Sequence, residues 1–432
     1  MSQLQYTRVI VMNNTIQKQL LYEKIESDKE ELFALLGSLI QINSENFASH
    51  GNEKACAEYV RSYCEELGYH AEVYSPLDIP DFEKHPDYLE GRGLEARRNC
   101  TVTVPGKLHE KKLMLAAHID TVEIGDESKW AFPPLCGLVK GGNILGRGAC
   151  DDKYGVAASL FLIKKMKELG MELPYDLLFT GYCDEEYGGS NGALAACLKY
   201  PCEDYLNLDC KNFEIWNCGV GGGELVFQVK TKEAVDNCSK VLEGLNVAEK
   251  YFREFAGRRR AELESNPVFA GTIVARNAFR IMCFMAGGQG GTDMDSGYFK
   301  VTYYTDKTEP EIKVELAQLK KIVDEEFEKL GLYELQITKA TRFFHYVKSE
   351  ENNRMITLLK KAGEEQGRVL CEKGACLSDL PMFVLYGSPR AVCFGIGADF
   401  HRPGGAHQTN EYVECDKLTE FTKIVAGFLL EY

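Results

Sequence analysis

The segment KLMLAAHID, from Lys112 to Asp120, decides the fold of this chain, because an apolar run of strand length ends in a histidine and an aspartate. Further short apolar runs are also of strand length and are bounded by turn or polar residues; they are Asp176–Thr180, Tyr205–Leu208 and Ala391–Gly395. Helical patterns separate these runs, at Gly155–Leu169 and Gly192–Tyr200. Strands that alternate with helices predict an α/β domain with a mostly parallel sheet and helices on both faces.

The middle of the chain has a different pattern. A strand pattern is followed by a long charged helical stretch, two strand patterns around a glycine-rich turn, and an amphipathic helix; these segments are Glu224–Lys230, Glu233–Glu264, Thr272–Met285, Tyr298–Thr305 and Pro310–Leu330. This order predicts an α+β lid domain of the ferredoxin-like kind, inserted into the first domain. We expect the catalytic domain to comprise residues 1–214 and 341–432, and the lid to comprise 215–340.

Size and charge limit the classes of function. The chain has 432 residues, which favours two domains, and its 45% hydrophobic and 27% charged residues are typical of a folded protein. The net charge of -15 disfavours nucleic acid and anionic lipid as partners, so we expect a small-molecule substrate. Because no apolar run approaches the length of a membrane span, we expect no membrane contact and a cytoplasmic location, with the sixteen cysteines reduced.

Acidic and histidine side chains follow the predicted strands. They are His118 and Asp120 after the first run, Asp184, Glu185 and Glu186 after the second, Asp209 after the third, and His401 and His407 after the last. Asp151 lies in a turn before a helix. Since ligands of an open α/β sheet bind beyond the carboxyl ends of its strands, we expect these groups to converge.

Each of these residues also has an ordinary structural explanation. A histidine after a strand is more often structural, paired glutamates are often solvated, and Asp151 or Asp209 could cap a helix or form a turn. Their coincidence at successive strand ends favours a site instead. Imidazole and carboxylate ligands suit a pair of first-row divalent ions, most simply zinc, with cobalt and manganese as alternatives.

Four motifs resemble the signature blocks of the M20 metallopeptidases. They are AHIDTV at 117–122, GRGACDDK at 146–153, DEEYGG at 184–189 and AHQTNEY at 406–412. The resemblance implies a di-metal catalytic domain interrupted by a ferredoxin-like lid. It also implies hydrolysis of an amide or peptide bond.

The resemblance further implies a role for each motif residue. Asp151 would bridge both ions; His118 and Asp209 would complete one metal site, and Glu186 and His407 the other. Asp120 would orient His118, Glu185 would be the general base, and the Asp151–Asp152 peptide bond would be cis. No histidine occurs between His118 and His345. The lid therefore lacks the histidine that many dimeric members of that family contribute to a neighbouring active site, and the oligomeric state stays open.

Three functions are compatible with these residues. The first is a dipeptidase or aminopeptidase acting on small peptides. The resemblance favours it, because Asp at the position of Asp209 is commoner in M20 peptidases that act from the amino end. The second is a deacylase of N-acyl amino acids, similar to acetylornithine deacetylase or succinyl-diaminopimelate desuccinylase. The third is a non-catalytic binding protein. Arg147, Arg276 and Arg280 are candidates to hold a substrate carboxylate.

Overall fold

The computed structural model describes residues 3–232, 237–288 and 291–432, with side chains from Thr15 onward. The helices in these ranges are α1 (Gln3–Ser27), α2 (Lys29–Ile40), α3 (Lys54–Glu66), α4 (Lys153–Glu168), α5 (Asn191–Lys199), α6 (Ser239–Ser265), α7 (Ile273–Arg276), α8 (Glu309–Lys329), α9 (Arg354–Glu365), α10 (Leu380–Met382) and α11 (Cys415–Glu431). The strands are β1 (His70–Tyr74), β2 (Asn99–Val104), β3 (Lys112–His118), β4 (Leu138–Lys140), β5 (Asn143–Leu145), β6 (Asp176–Tyr182), β7 (Asp204–Asn207), β8 (Glu214–Gly219), β9 (Gly221–Lys230), β10 (Phe279–Ala286), β11 (Ser296–Thr305), β12 (Gln336–Lys339), β13 (Val347–Lys348), β14 (Cys371–Ala375), β15 (Val392–Phe394) and β16 (Tyr412–Glu414). Within these ranges, no helix is both long and apolar enough to cross a bilayer.

The chain divides into two compact units. The first runs to Asn217 and includes Lys348–Lys373 and Met382–Tyr432. The second comprises Cys218–Val347 and Gly374–Pro381. The domain limits expected from the sequence, with the lid at 215–340, stay a prediction.

The first unit is built on a mixed sheet with a parallel centre. Its strand order includes β1-β2-β6-β3-β7-β15-β8. The neighbours β6, β3, β7 and β15 are parallel, whereas β1, β2 and β8 join antiparallel. The four apolar runs of the sequence form this parallel centre, which confirms the expected α/β class. The antiparallel strands β1 and β2 lie outside the predicted segments.

Both faces of this sheet are covered. Along β3, Leu113, Leu115 and Ala117 belong to one buried cluster together with residues of α2, α3, α4 and α11. Met114 and Ala116 belong to another, together with residues of α5. Successive side chains of a strand point to opposite faces, so this division places helices on both sides of the sheet, as the sequence predicted.

The second unit is a four-stranded antiparallel sheet with helices packed on it. The strand order is β10-β11-β9-β12, and the chain order is β9, α6, β10, β11, α8, β12. This is the predicted ferredoxin-like arrangement. Residues of β9, β11, α6 and α8 share one hydrophobic core.

Two segments of this unit differ from the sequence prediction. The predicted strand Thr272–Met285 is wrong over its first part, which forms α7, because the Thr272 hydroxyl accepts a hydrogen bond from the Ala275 amide at 3.3 Å and begins a helical turn there. Residues 233–236 of the predicted charged helix, and Gln289 and Gly290 of the glycine-rich turn, lie outside the described residues.

Candidate metal centre

The parallel strands bring the sequence-predicted residues to one edge of the sheet. His118 is the last residue of β3 and lies opposite Tyr182 of β6, and Ala116 lies opposite Asn207 of β7. The chain segments that leave these strands carry Asp120, the Asp184–Glu186 turn and Asp209. This edge is where open α/β sheets present ligand-binding residues.

Asp151 lies between two imidazoles, in the turn that leads into α4. Its Oδ1 is 3.0 Å from His118 Nε2, and its Oδ2 is 3.2 Å from His407 Nε2. His407 Nε2 is also 2.9 Å from Glu186 Oε2. The peptide bond between Asp151 and Asp152 is cis, as the resemblance implied. Each carboxylate oxygen of Asp151 therefore faces a different histidine.

Ligand atoms cluster in two groups that share Asp151. His118, Asp151 and Asp209 form one group, and Asp151, Glu186 and His407 form the other; the atoms of each group lie within 4.8 Å of one another. Glu185 joins His118 and Glu186 in a third set with the same spacing. The exposed His401 belongs to none of these groups.

The electrostatics of the cluster fit a bound cation. Burial, together with the charges of Asp151 and Glu186, raises the pKa of Asp209 to about 7. Burial would lower the pKa of His118, but its hydrogen bonds with Asp120 and Asp151 raise that pKa well above the ordinary value. The pKa values of Asp209 and His118 are both raised because negative charge is in excess around them. Divalent ions would supply the compensating positive charge, and the donors are oxygen and imidazole nitrogen, so the residues fit such ions.

Asp120 is completely buried and contacts main-chain groups. His118 Nδ1 lies 2.9 Å from the backbone carbonyl oxygen of Asp120 and 3.6 Å from its carboxylate Oδ1. The carboxylate Oδ2 accepts hydrogen bonds from the backbone amides of Glu185 and Glu186, each at 3.0 Å. Asp120 therefore touches both the histidine and the turn that carries Glu185.

Asp184 belongs to a buried polar network behind this turn, whose other members were not anticipated from the sequence. The network consists of Asn46, Glu53, Arg92, Arg97 and Asp184, all at most 6% exposed. Arg92 Nη2 donates to the Glu186 carbonyl at 2.8 Å, and Arg92 Nε donates to Asp184 Oδ1 at 2.9 Å. Arg97 pairs with Glu53. Asn46, Glu53, Arg92 and Arg97 lie in loops and at a helix start, where no periodic pattern predicts them.

The three arginine candidates have different surroundings. Arg147 Nη1 donates to Glu411 Oε2 at 2.6 Å, and both side chains are buried, at 3% and 1% exposed. Glu411 Oε1 accepts from the Cys150 amide at 3.0 Å, next to Asp151. Arg147 is thus committed to an internal ion pair. In the second unit, Arg276 is exposed and Arg280 Nη2 lies 3.4 Å from the Tyr304 hydroxyl.

Comparisons with known proteins agree with this geometry. The profile of Peptidase family M20/M25/M40 matches residues 114–431. The chain is 24% identical to the N-formyl-4-amino-5-aminomethyl-2-methylpyrimidine deformylase of Halalkalibacterium halodurans, over 94% of this chain and 96% of the relative. Among solved structures, it superposes on human carnosine dipeptidase 1 with a TM-score of 0.68, 15% identity, and coverage of 96% of this chain and 99% of the other. It superposes on a dinuclear metal binding M20 peptidase of Bacillus subtilis with a TM-score of 0.58, 14% identity, and coverage of 94% and 98%.

These matches indicate that the chain is a hydrolytic enzyme rather than a non-catalytic binding protein. The profile covers most of the chain and includes all the motif residues discussed above. This protein belongs to Peptidase family M20/M25/M40.

Proposed function

We propose that this enzyme hydrolyses an amide bond of a small substrate at a site for two divalent ions. The observation that carries the proposal is Asp151, whose two carboxylate oxygens face His118 and His407 separately and which belongs to both ligand groups. A carboxylate placed in this way is suited to bridging two cations. Zinc is the ion we propose, with cobalt and manganese as alternatives.

The ligand groups suggest which residues would hold each ion. His118 and Asp209 would bind one ion and Glu186 and His407 the other, with Asp151 common to both. Bound there, two ions would polarise the scissile carbonyl and lower the pKa of an attacking water. Asp120 fixes this arrangement from behind, through the backbone amides of Glu185 and Glu186.

Glu185 is the proposed general base. Its carboxylate lies within 4.8 Å of ligand atoms of His118 and Glu186. Glu185 belongs to neither of the two groups that share Asp151, so it can exchange a proton. It would take a proton from the attacking water as the carbon–oxygen bond forms, and deliver it to the leaving nitrogen as the carbon–nitrogen bond breaks. The products are a carboxylate and an amine.

Two substrate classes are the candidates. A small peptide with a free amino end is favoured by Asp209, and carnosine dipeptidase has the same fold. An N-acyl or N-formyl amine is favoured by the deformylase relative, whose match extends over 94% of this chain. We place peptides first, with deacylation as the second candidate. The cytoplasmic location stays a prediction.

The test combines metal analysis with a substrate panel. The metal-depleted protein would be reconstituted with zinc, cobalt or manganese and assayed on dipeptides, tripeptides, and N-formyl, N-acetyl and N-succinyl compounds. Asp151→Ala should lose bound metal, whereas Asp399→Asn provides a matched control, since Asp399 pairs with Lys211 and belongs to neither ligand group. We expect about two ions per wild-type chain.

The outcomes separate the candidates. Turnover of peptides alone supports the first class, and turnover of acylated or formylated compounds alone supports the second. Elemental analysis that finds one ion or none at saturating metal would contradict the two-ion site.

A further inference from the structure

The amide of Asn46 uses all of its hydrogen-bonding capacity inside the protein. Its Oδ1 accepts from the Ala48 amide at 2.8 Å and from Arg97 Nη2 at 3.0 Å. Its Nδ2 donates to Asp120 Oδ2 at 2.8 Å and to the Glu186 carbonyl at 3.2 Å. An asparagine side chain offers two donors and two acceptor positions, so this set is complete. It also fixes which end of the amide faces Asp120.

The backbone of Asn46 is anchored beside the same strand end. Its amide donates to the Thr121 carbonyl at 2.8 Å, and the Thr121 amide donates to the Ser44 carbonyl at 3.1 Å. The side chain is 0% exposed. Asn46 thus has little freedom, because both its main chain and its amide oxygen are held in place.

The side-chain donors of Asn46 hold the turn that carries Glu185 and Glu186 through two contacts. The first contact is direct, with the Glu186 carbonyl. The second is indirect, through the Asp120 carboxylate, which accepts hydrogen bonds from the backbone amides of Glu185 and Glu186. We propose that Asn46 is a positioning residue that holds this turn so that Glu185 and Glu186 keep their places at the metal centre. This role rests on the proposed function, in which Glu186 binds an ion and Glu185 moves the proton.

Two substitutions separate the donors from the rest of the side chain. Asn46→Ala removes the whole amide and leaves Asp120 Oδ2 without one of its donors. Asn46→Asp has the same size and keeps the acceptor side for Ala48 and Arg97, but it turns a carboxylate oxygen towards Asp120. A hydrogen bond to a charged group is strong enough that its loss should loosen the turn about tenfold.

Asn353→Ala is the matched control. Asn353 is also a buried asparagine, at 3% exposed, that uses its amide to hold main chain. Its Oδ1 accepts from the Met355 amide at 3.0 Å, and its Nδ2 donates to the Arg390 carbonyl at 2.7 Å. It lies at the start of α9, outside the ligand groups. Asn353→Ala should lower the free energy of unfolding by a similar amount without changing the turn that carries Glu185.

The experiment measures three quantities on the full chain. The first is the rate of amide hydrogen exchange in peptides that cover Glu185 and Glu186, measured on the metal-free protein. We expect about tenfold faster exchange in both Asn46 variants and an unchanged rate in Asn353→Ala. The second is zinc affinity by chelator competition, which should fall 10- to 100-fold. The third is kcat, which should fall by a similar factor while KM changes little.

The readouts distinguish the two proposals. Normal exchange and normal zinc affinity in Asn46→Asp, or changes no larger than those in Asn353→Ala, would overturn the positioning role. A wild-type protein that binds no zinc and hydrolyses no amide would contradict the proposed function instead, and the exchange measurement would still decide whether Asn46 holds the turn. If Asn46→Ala does not fold, Asn46→Asp carries the test.

Discussion

The buried ion pair between Arg147 and Glu411 gives the sharpest stability prediction. The two side chains are 3% and 1% exposed, and their charged atoms are 2.6 Å apart. Removing either partner leaves the other charge buried and unpaired, which costs about 3–5 kcal/mol. We therefore expect Arg147→Met and Glu411→Gln each to lower the free energy of unfolding by about that amount. The double variant should lose less than the sum by about 1–3 kcal/mol, because no charge is stranded.

Urea denaturation of the metal-free proteins would measure this cycle. Arg402→Met is a matched control, since Arg402 pairs with Glu414 at 2.5 Å but the two side chains are 35% and 28% exposed. An ion pair so open to water contributes about 0–1 kcal/mol. If Arg147→Met costs no more than Arg402→Met, the reasoning from burial fails. If Arg147→Met leaves the free energy of unfolding unchanged and raises KM only for substrates with a carboxylate, Arg147 binds substrate.

Three further predictions concern the base, acid stability and the rim of the site. Glu185→Gln should lower kcat by about 10²- to 10⁴-fold and keep both metals, whereas Asp151→Ala should lose metal as well. Kinetics with elemental analysis would check this. A near wild-type kcat in Glu185→Gln would exclude Glu185 as the base. The hydrogen bond from Lys165, 1% exposed, lowers the pKa of Asp28 from its ordinary 3.8. The stability it provides is present above pH 3.8 and is lost as the pH falls through the lowered folded value, so urea midpoints of Lys165→Met should depend less on pH than wild type in that range. The Phe400 ring is 43% exposed and lies 4.7 Å from the His407 ring, so Phe400→Ala should raise KM several-fold at unchanged metal content, and an unchanged KM would exclude substrate contact.

The sequence predicted the strands of the fold wherever a local pattern of apolar residues indicates burial. The run from Lys112 to Ala117 is apolar on both faces because β3 lies inside a parallel sheet, and the same reason made β6, β7 and β15 visible. Strands β1 and β2 were missed because polar residues interrupt their apolar ones, in HAEVY and NCTVTV, so neither is a continuous apolar run like the central strands. The start of the Thr272–Met285 segment was misread because a single capping hydroxyl, rather than hydrophobic period, sets the local structure there.

The sequence by itself indicated the candidate residues for the chemistry of this protein. Histidines and carboxylates at successive strand ends, together with four motifs, indicated the candidate centre because the carboxyl ends of parallel strands meet at one edge. Only the tertiary structure decided how that centre is held. Asn46 and Arg92 reach the Glu186 carbonyl across long chain separations. Arg147 is internal because Glu411, 264 residues away, pairs with it. Such contacts leave no periodic trace in the sequence, since they depend on how distant loops meet after the sheet has formed.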